Sequence, residues 1–470
     1  MCARGFIVRL MVRSGPLDRL SPQDASNLRV EERGQPMHVA ALLILGRGAF
    51  AGAPGRARVE ALHDIVGRRL HLAPRLRQVL YRPPPGLGAP VWVDDQRFDL
   101  GWHVRERTVP EPGDETALLR ACAELHQVPL DPSRPLWQMW LLTGLAGDRS
   151  GLLIRLHHVV ADGVAAIAML GALSDPGPAE TVPDPPPWTP APNPRHTALA
   201  ADQCRRLAHL PRGLSRRLSH PATLVARLGV SARQAGQLIR EGRAPRLSLN
   251  VPVTGRSRLF LIRADLERAR AVAHAHGGTV NDVILAAVAG GARRLLRSRG
   301  ELPPGLILKA SVAVSVREPA DQRAVGNRAG VMIVPLPAAE PDPRRRVATI
   351  AAATAARKKL PPYQPGGRLA QRWMTGVMSH QRLVNLLLSN LPGPPAPLSL
   401  GGTAVLEMFQ SGVVQGNLTL SVGVLSYAGQ LNLSVVADDA AVPDAATFAT
   451  GISDTLGELG ILATNPPGAS

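Results

Sequence analysis

Gly151-Leu-Leu-Ile-Arg-Leu-His157-His158-Val-Val-Ala-Asp162-Gly163 is the stretch from which the rest of the chain can be read. The apolar run up to His157 predicts a strand. Gly163 to Leu173, rich in Ala, Leu and Met, predicts a small-residue helix just after it. Between the two stand adjacent histidines, then an aspartate four residues on, then a glycine. Imidazole has an ordinary pKa of about 6.5, so it can take a proton near neutral pH. A base at a strand end is held rigidly while its ring faces a cleft. Neighbouring residues at a strand end point to opposite sides. At most one histidine can therefore be the base, and the other packs or bonds structurally, as isolated core or surface histidines commonly do. Asp162 can anchor the loop through an arginine or backbone amides, and Gly163 permits a tight turn.

Competing chemistries leave weaker traces. A His-His-Asp set could bind a metal, but no HExxH and no third ligand at diagnostic spacing accompanies it. No GxSxG elbow marks a serine hydrolase, and there is no Walker P-loop and no GxGxxG.

The 470 residues suffice for two ordinary domains, and 45% hydrophobic against 19% charged suits a packed globular protein. Aromatics are only 3%, so aliphatic side chains must build the core. The net charge of +18 comes almost wholly from arginine, since Lys309, Lys358 and Lys359 are the lysines. Codon bias accounts for such a charge; so does attraction to nucleic acid, an acidic membrane face or a phosphate-bearing substrate. Cys2, Cys122 and Cys204 form neither a disulfide framework nor a CxxC pair, which fits a reducing compartment. No apolar run reaches the roughly 18 residues of a membrane span.

Residues 1–15 read as a disordered or misassigned start without a signal-peptide core. Residues 16–175 form a first region, with a helical pattern from Val59 to Leu70. Residues 176–250 are a connector rich in proline and arginine. Its leucines between Leu207 and Leu228 suggest basic amphipathic helices, which suit either an anionic membrane face or packing on the protein. Residues 251–465 form a second region. Predicted strands there are Leu259–Ile262, Ile307–Val316 and Val331–Leu336, with a hairpin around Tyr427-Ala-Gly429. Predicted helices are Asp265–Ala275 and Val280–Arg297, the second capped by Thr279.

His157 to Gly163 resembles the HHxxxDG motif of coenzyme A-dependent acyltransferases and of peptide-synthetase condensation domains. Other blocks resemble the bacterial wax ester synthase/diacylglycerol acyltransferase family. These are Leu20-Ser-Pro-Gln-Asp24, Pro36-Met-His-Val39, Pro129 to Trp137 with its Pro135-Leu136-Trp137, and Asn281-Asp282-Val-Ile-Leu. Ser311 to Arg317 with Gly326-Asn327-Arg328, and Ser389-Asn390-Leu-Pro392-Gly393-Pro394, complete the set. They stand in the family's order from about residue 17 to about residue 460. The connector is more proline- and arginine-rich than the family leads one to expect.

The resemblance implies an α/β fold, mixed α+β, of two chloramphenicol acetyltransferase-like domains with a tunnel between them. It implies His158 as general base, Asp162 as loop architecture, and direct attack on the thioester without an acyl-enzyme. Pro135, Leu136 and Trp137 would line or support the tunnel, with plain core as the alternative for Trp137. Asn281 would donate to the reacting oxygen or start a helix, and Asp282 would shape the site beside it. Ser389 and Asn390 would sit at the domain contact or form a turn before the prolines.

The substrates implied are acyl-coenzyme A, with diacylglycerol or a long-chain alcohol as acceptor. No bound cofactor, no metal and no nucleic acid enters this scheme. The protein would be cytoplasmic, peripheral on the inner membrane face or on lipid droplets. Rival expectations are another HHxxxDG enzyme such as a condensation domain, a catalytically weak lipid-binding or lipid-droplet homologue, and a nucleic-acid binder. The last lacks aromatic platforms for base stacking.

Overall fold

The apolar stretch before the histidine pair is an interior strand, paired on both sides. The computed structural model describes residues 17–31, 37–50, 56–161, 163–176, 184–218, 242–315, 329–359 and 380–463. The first half supplies α1 (Pro22–Glu31), β1 (His38–Leu45), α2 (Arg56–Arg69), β2 (Gln78–Tyr81), β3 (Val91–Asp94) and α3 (Leu100–His103). It continues with β4 (Val104–Thr108), α4 (Glu115–Gln127), β5 (Trp137–Leu145), β6 (Arg149–His157) and α5 (Gly163–Leu173). α6 (His196–Leu218) follows. The second half supplies β7 (Ser257–Asp265), α7 (Leu266–Ala275), α8 (Val280–Ser298), β8 (Ile307–Ser315), β9 (Ala329–Pro337) and α9 (Pro343–Lys358). Then come β10 (Leu386–Pro392), β11 (Ser399–Leu400), β12 (Thr403–Ser411), β13 (Leu420–Tyr427), β14 (Gln430–Asp438) and α10 (Ala445–Glu458).

Two six-stranded sheets carry the molecule, ordered β11-β12-β1-β6-β5-β4 and β7-β14-β13-β10-β8-β9, with β2-β3 as a separate ribbon. In the first sheet β6 lies between β1 and β5, so both of its edges are paired, and its residues past Arg149 are buried. Alternation sorts its side chains. Leu152, Ile154 and Leu156 join a core with Leu62, Val66 and Leu170 from α2 and α5. Leu153 joins Leu42, Ile44, Leu118 and Leu125 on the side covered by α4. In the second sheet β10 is parallel to both β8 and β13, and α8 is buried along most of its length. The β13–β14 hairpin turns through Ala428 and Gly429, both at positive φ, as a two-residue loop requires.

The sheets are joined by a strand that the sequence patterns did not place. β12 comes from the second half, yet it pairs antiparallel with β1, Ala40 facing Ser411. Side chains of β14 meet its carbonyls in register. Gln430 Nε2 donates to Leu406 O (2.9 Å), Asn432 Nδ2 to Met408 O (3.1 Å), and Ser434 Oγ to Gln410 O. Tyr427 adds its hydroxyl to Val405 O at 2.8 Å. These bonds satisfy a row of β12 carbonyls that would otherwise be buried without partners. At the other end Asp175, just past α5, accepts the Gly401 and Gly402 amides and Arg69 Nη2 at 2.9, 2.7 and 3.0 Å.

The described part of the connector is docked rather than free. Ala191 bonds Asp94 and Gln96 through its N–H and C=O, and Trp188 packs between Arg77 and Phe98. Asp202 of α6 receives Arg19 Nε at 2.6 Å and Arg206 Nε at 3.0 Å. Among the described residues no helix is long and apolar enough to cross a membrane.

Candidate active site

β6 ends on His157, and the two histidines separate there. His157 is fully buried, while His158 enters a turn and is half-buried. Backbone bonds hold both. His157 N–H donates to Leu136 O at 3.0 Å, and His158 N–H donates to Met37 O at 2.9 Å. Val160 N–H closes the turn onto His157 O at 2.9 Å. The His157 ring is engaged on both edges. Nδ1 accepts the Val159 N–H at 3.0 Å, which places the ring proton on Nε2, 2.8 Å from Glu31 Oε2. Burial would raise the Glu31 pKa, but the His157 Nε2–H beside it and the Met37 backbone N–H outweigh it and hold the carboxyl below its ordinary value.

His38 faces His157 across the β1–β6 pair. Burial, then the charge of Arg155, pushes its pKa down to about 4, so its imidazole is neutral and Nε2–H donates to His126 O. His126 is lowered well below its ordinary value by burial first and by His38 and Arg155 next. Arg155 is buried and bonds Gln138 Oε1 at 3.2 Å and Val128 O. Burial brings its pKa down to about 10, so it stays cationic at neutral pH. A neutral histidine pair and a cation thus lie on the α4 side of the sheet, behind the turn.

The other expected residues fall into distinct places. Pro135, Leu136 and Trp137 are buried. The Leu136 carbonyl anchors His157, while the Trp137 indole donates to Leu76 O at 2.7 Å and stacks on His103. Gly163 opens α5 against Leu391 of β10. A Cβ built there would fall on Leu391 Cδ1 and within 3.0 Å of Cδ2. Gly163 therefore meets the Ser389–Pro394 block at Leu391. Ser389 and Asn390 lie beside Gly423 and Val424 in the parallel pair, and Gln410 Nε2 donates to Ser389 O at 2.7 Å. Asp282 is buried at the start of α8. Thr279 N–H and Oγ1 donate to Oδ2, and Thr354 Oγ1 donates to Oδ1 at 2.7 Å. Asn281 stands beside it, half-buried in the first turn of the helix, with its Oδ1 enclosed. Asp162, residues 316–328 and residues 1–15 lie outside the described residues.

Reading the sequence missed Glu31, His126 and Arg155. Arg155 had a signal: it is the charged residue inside an otherwise apolar interior strand. Glu31 and His126 had none, because nothing local marks what they face. A cleft of about 390 Å³ lined by Arg263, Glu407 and Asn432 lies elsewhere, between the end of β7, the β13–β14 turn and β12. No cluster of three or more His, Cys, Asp or Glu able to hold a metal ion occurs among the described residues.

A mixed α/β fold with an HHxxxDG turn ending a central strand defines a class of acyl-transferring proteins. Residues 20–284 match the wax ester synthase/diacylglycerol acyltransferase catalytic domain, and residues 325–460 match the C-terminal domain of the same family. The chain belongs to the wax ester synthase/diacylglycerol acyltransferase family and is an acyltransferase. It is 32% identical over 457 residues to tgs1 of Mycobacterium tuberculosis, which is named as a diacylglycerol O-acyltransferase, covering 94% of this chain and 96% of the relative. Another M. tuberculosis protein so named is 33% identical over 399 residues, covering 80% and 83%.

Among solved structures, the wax ester synthase/diacylglycerol acyltransferase of Marinobacter aquaeolei VT8 superposes with a TM-score of 0.68 at 27% identity. The match covers 94% of this chain and 98% of that one. The first condensation domain of the CDA synthetase shares the fold alone, with a TM-score of 0.56 at 15% identity over 95% and 98% of the chains. The two chloramphenicol acetyltransferase-like domains expected from the sequence are the observed architecture.

Proposed function

We propose that the protein transfers a fatty acyl group from acyl-coenzyme A to the hydroxyl of a diacylglycerol or a long-chain alcohol, with His158 as general base. The contrast within the histidine pair carries this reading. His157 is fully buried with Nδ1 accepting a backbone N–H and Nε2 against Glu31, whereas the half-buried His158 stands in the turn ahead of α5, whose first residue meets Leu391 of β10. The substrates are inferred from the family and from what the relatives are named for.

His158 accepts the hydroxyl proton as the acceptor oxygen attacks the thioester carbonyl. The tetrahedral oxyanion collapses with cleavage of the carbon–sulfur bond. The proton on His158 then goes to the departing coenzyme A thiolate. Base assistance of this kind supplies on the order of 10²–10⁴ in rate, and positioning of the two substrates supplies more. Asn281 is the proposed donor to the oxyanion, and Asp162 the proposed anchor of the loop. No acyl-enzyme is required. The two substrates would reach His158 through a tunnel between residues 16–175 and 251–465.

Arginine on the exposed part of α6, at Arg205 and Arg206 beside the exposed Leu207, supports peripheral association with anionic lipid. Neutralising arginines of the connector should weaken binding to anionic vesicles, and unchanged binding would reduce the segment to a linker.

Purified protein given palmitoyl-coenzyme A with diacylglycerol or hexadecanol should release free coenzyme A, and His158→Ala should abolish that release. Normal turnover by a folded His158→Ala protein overturns the assignment. Profiling acceptors against one acyl donor decides between triacylglycerol and wax ester synthesis.

A further inference from the structure

The histidine turn is held by a closed ring of polar contacts that begins outside the motif. Glu31, the last residue of α1, places Oε2 2.8 Å from Nε2 of His157, and the backbone N–H of Met37 favours its charged form. The Met37 carbonyl in turn receives the His158 N–H at 2.9 Å. His157 and His158 share a peptide bond, so the ring closes through it. One carboxylate thus fixes the ring of the first histidine and the strand start that fixes the backbone of the second. Its side chain is 24% exposed and that of His157 is 0% exposed, so the contact sits at the border of the interior.

We infer that Glu31 is a positioning residue for the reaction, acting through His157 and Met37 to set where the His158 imidazole stands. The inference rests on His158 as the base. Removing the carboxylate takes the counter-group away from the buried His157 Nε2–H and from the start of β1. Buried donors seek another partner, so the turn shifts. Displacement of a catalytic group by about 1 Å can cost on the order of 100-fold in rate. A role in positioning alone would leave ground-state binding of either substrate nearly unchanged.

Steady-state kinetics with palmitoyl-coenzyme A and the preferred acceptor test this. E31A should lower kcat by about 10- to 100-fold with KM for both substrates within about threefold. E31Q, whose amide oxygen can still accept from His157, should fall between E31A and the parent. In a His157→Ala background the E31A penalty should be clearly smaller than in the parent, since only the path through Met37 remains. Parental kcat in folded E31A overturns the inference, and so does an E31A penalty that multiplies in full on top of His157→Ala. If E31A does not fold, E31Q decides alone: a kcat loss of about threefold or more at unchanged KM supports it, and parental kcat sinks it. His158→Ala separates this from the reading beneath it. Turnover without His158 removes the general base, whereas a dead His158→Ala with an indifferent Glu31 removes only the positioning role.

Discussion

Gly163 and Leu391 occupy neighbouring space in which a single methyl group does not fit. A Cβ on Gly163 would overlap Leu391 Cδ1 and approach Cδ2 to 3.0 Å and Cγ to 3.3 Å. The glycine of the histidine motif thus lets the start of α5 rest on β10 of the other sheet. Gly163→Ala should cost about 1–3 kcal/mol of stability, the usual range for an overpacked contact, and should lower coenzyme A release as α5 and β10 separate. The overlap is with a flexible side-chain end, so Leu391→Ala in the Gly163→Ala background should recover much of both. A double variant no better than Gly163→Ala alone would show that the glycine serves its backbone conformation instead.

Acid should weaken the fold through His38. Its folded pKa of about 4 lies below the ordinary 6.5, so the unfolded chain binds more protons in between. Stability is fully present above pH 6.5 and is lost as pH falls toward 4, by an amount on the order of 3 kcal/mol. His126, lowered in the same direction, adds to the slope. Urea midpoints taken from pH 7 to pH 4 should fall, and His38→Gln, which keeps a donor for the His126 carbonyl, should flatten the curve. An unaltered slope in His38→Gln would place the acid sensitivity elsewhere.

Asp282 ties three donors at the start of α8, Thr279 N–H and Oγ1 and Thr354 Oγ1. Asp282→Ala removes the capping box and the link to α9, for an expected loss of about 2–3 kcal/mol in denaturant unfolding. The folded fraction should keep its kcat, in contrast with Asn281→Ala, which should lower kcat if the amide touches the reacting oxygen. A large kcat defect in fully folded Asp282→Ala would give the carboxylate a part in the site.

Arg263 clasps the two halves. It gives Nε and Nη2 to the buried Glu407 at 2.6 and 3.0 Å and Nη2 to Glu115 of α4 at 2.5 Å. Arg263→Met strands the Glu407 carboxylate in the interior and should cost about 2–4 kcal/mol. Adding Glu407→Leu should return most of that, because an apolar pair needs no counter-ion. Failure of the second change to help would mean that Glu115 carries the bond.

Much of the local structure was legible. Gly163–Leu173 forms α5 with the bounds its composition predicted, and Asp265 and Thr279 start α7 and α8 as capping rules require. The Ala428-Gly429 turn falls where the glycine placed it. The histidine pair does separate into a buried and a half-buried member, but because β6 ends between them and His158 enters a turn, not by alternation along a strand. What escaped was the shell around the pair: Glu31, His126 and Arg155 matter through what they face, and no periodicity encodes a partner from another element.

The sequence by itself determined the elements and the place of the histidine pair at the end of β6, because side-chain alternation, capping and strand termination act over a few residues. Tertiary structure alone decided that β12 leaves its own half to pair with β1, and that Gln430, Asn432 and Ser434 would meet its carbonyls. It also decided that Glu31 would reach His157. Each of those contacts depends on buried polar groups finding partners across the chain. That condition is met only when the two sheets have closed on one another.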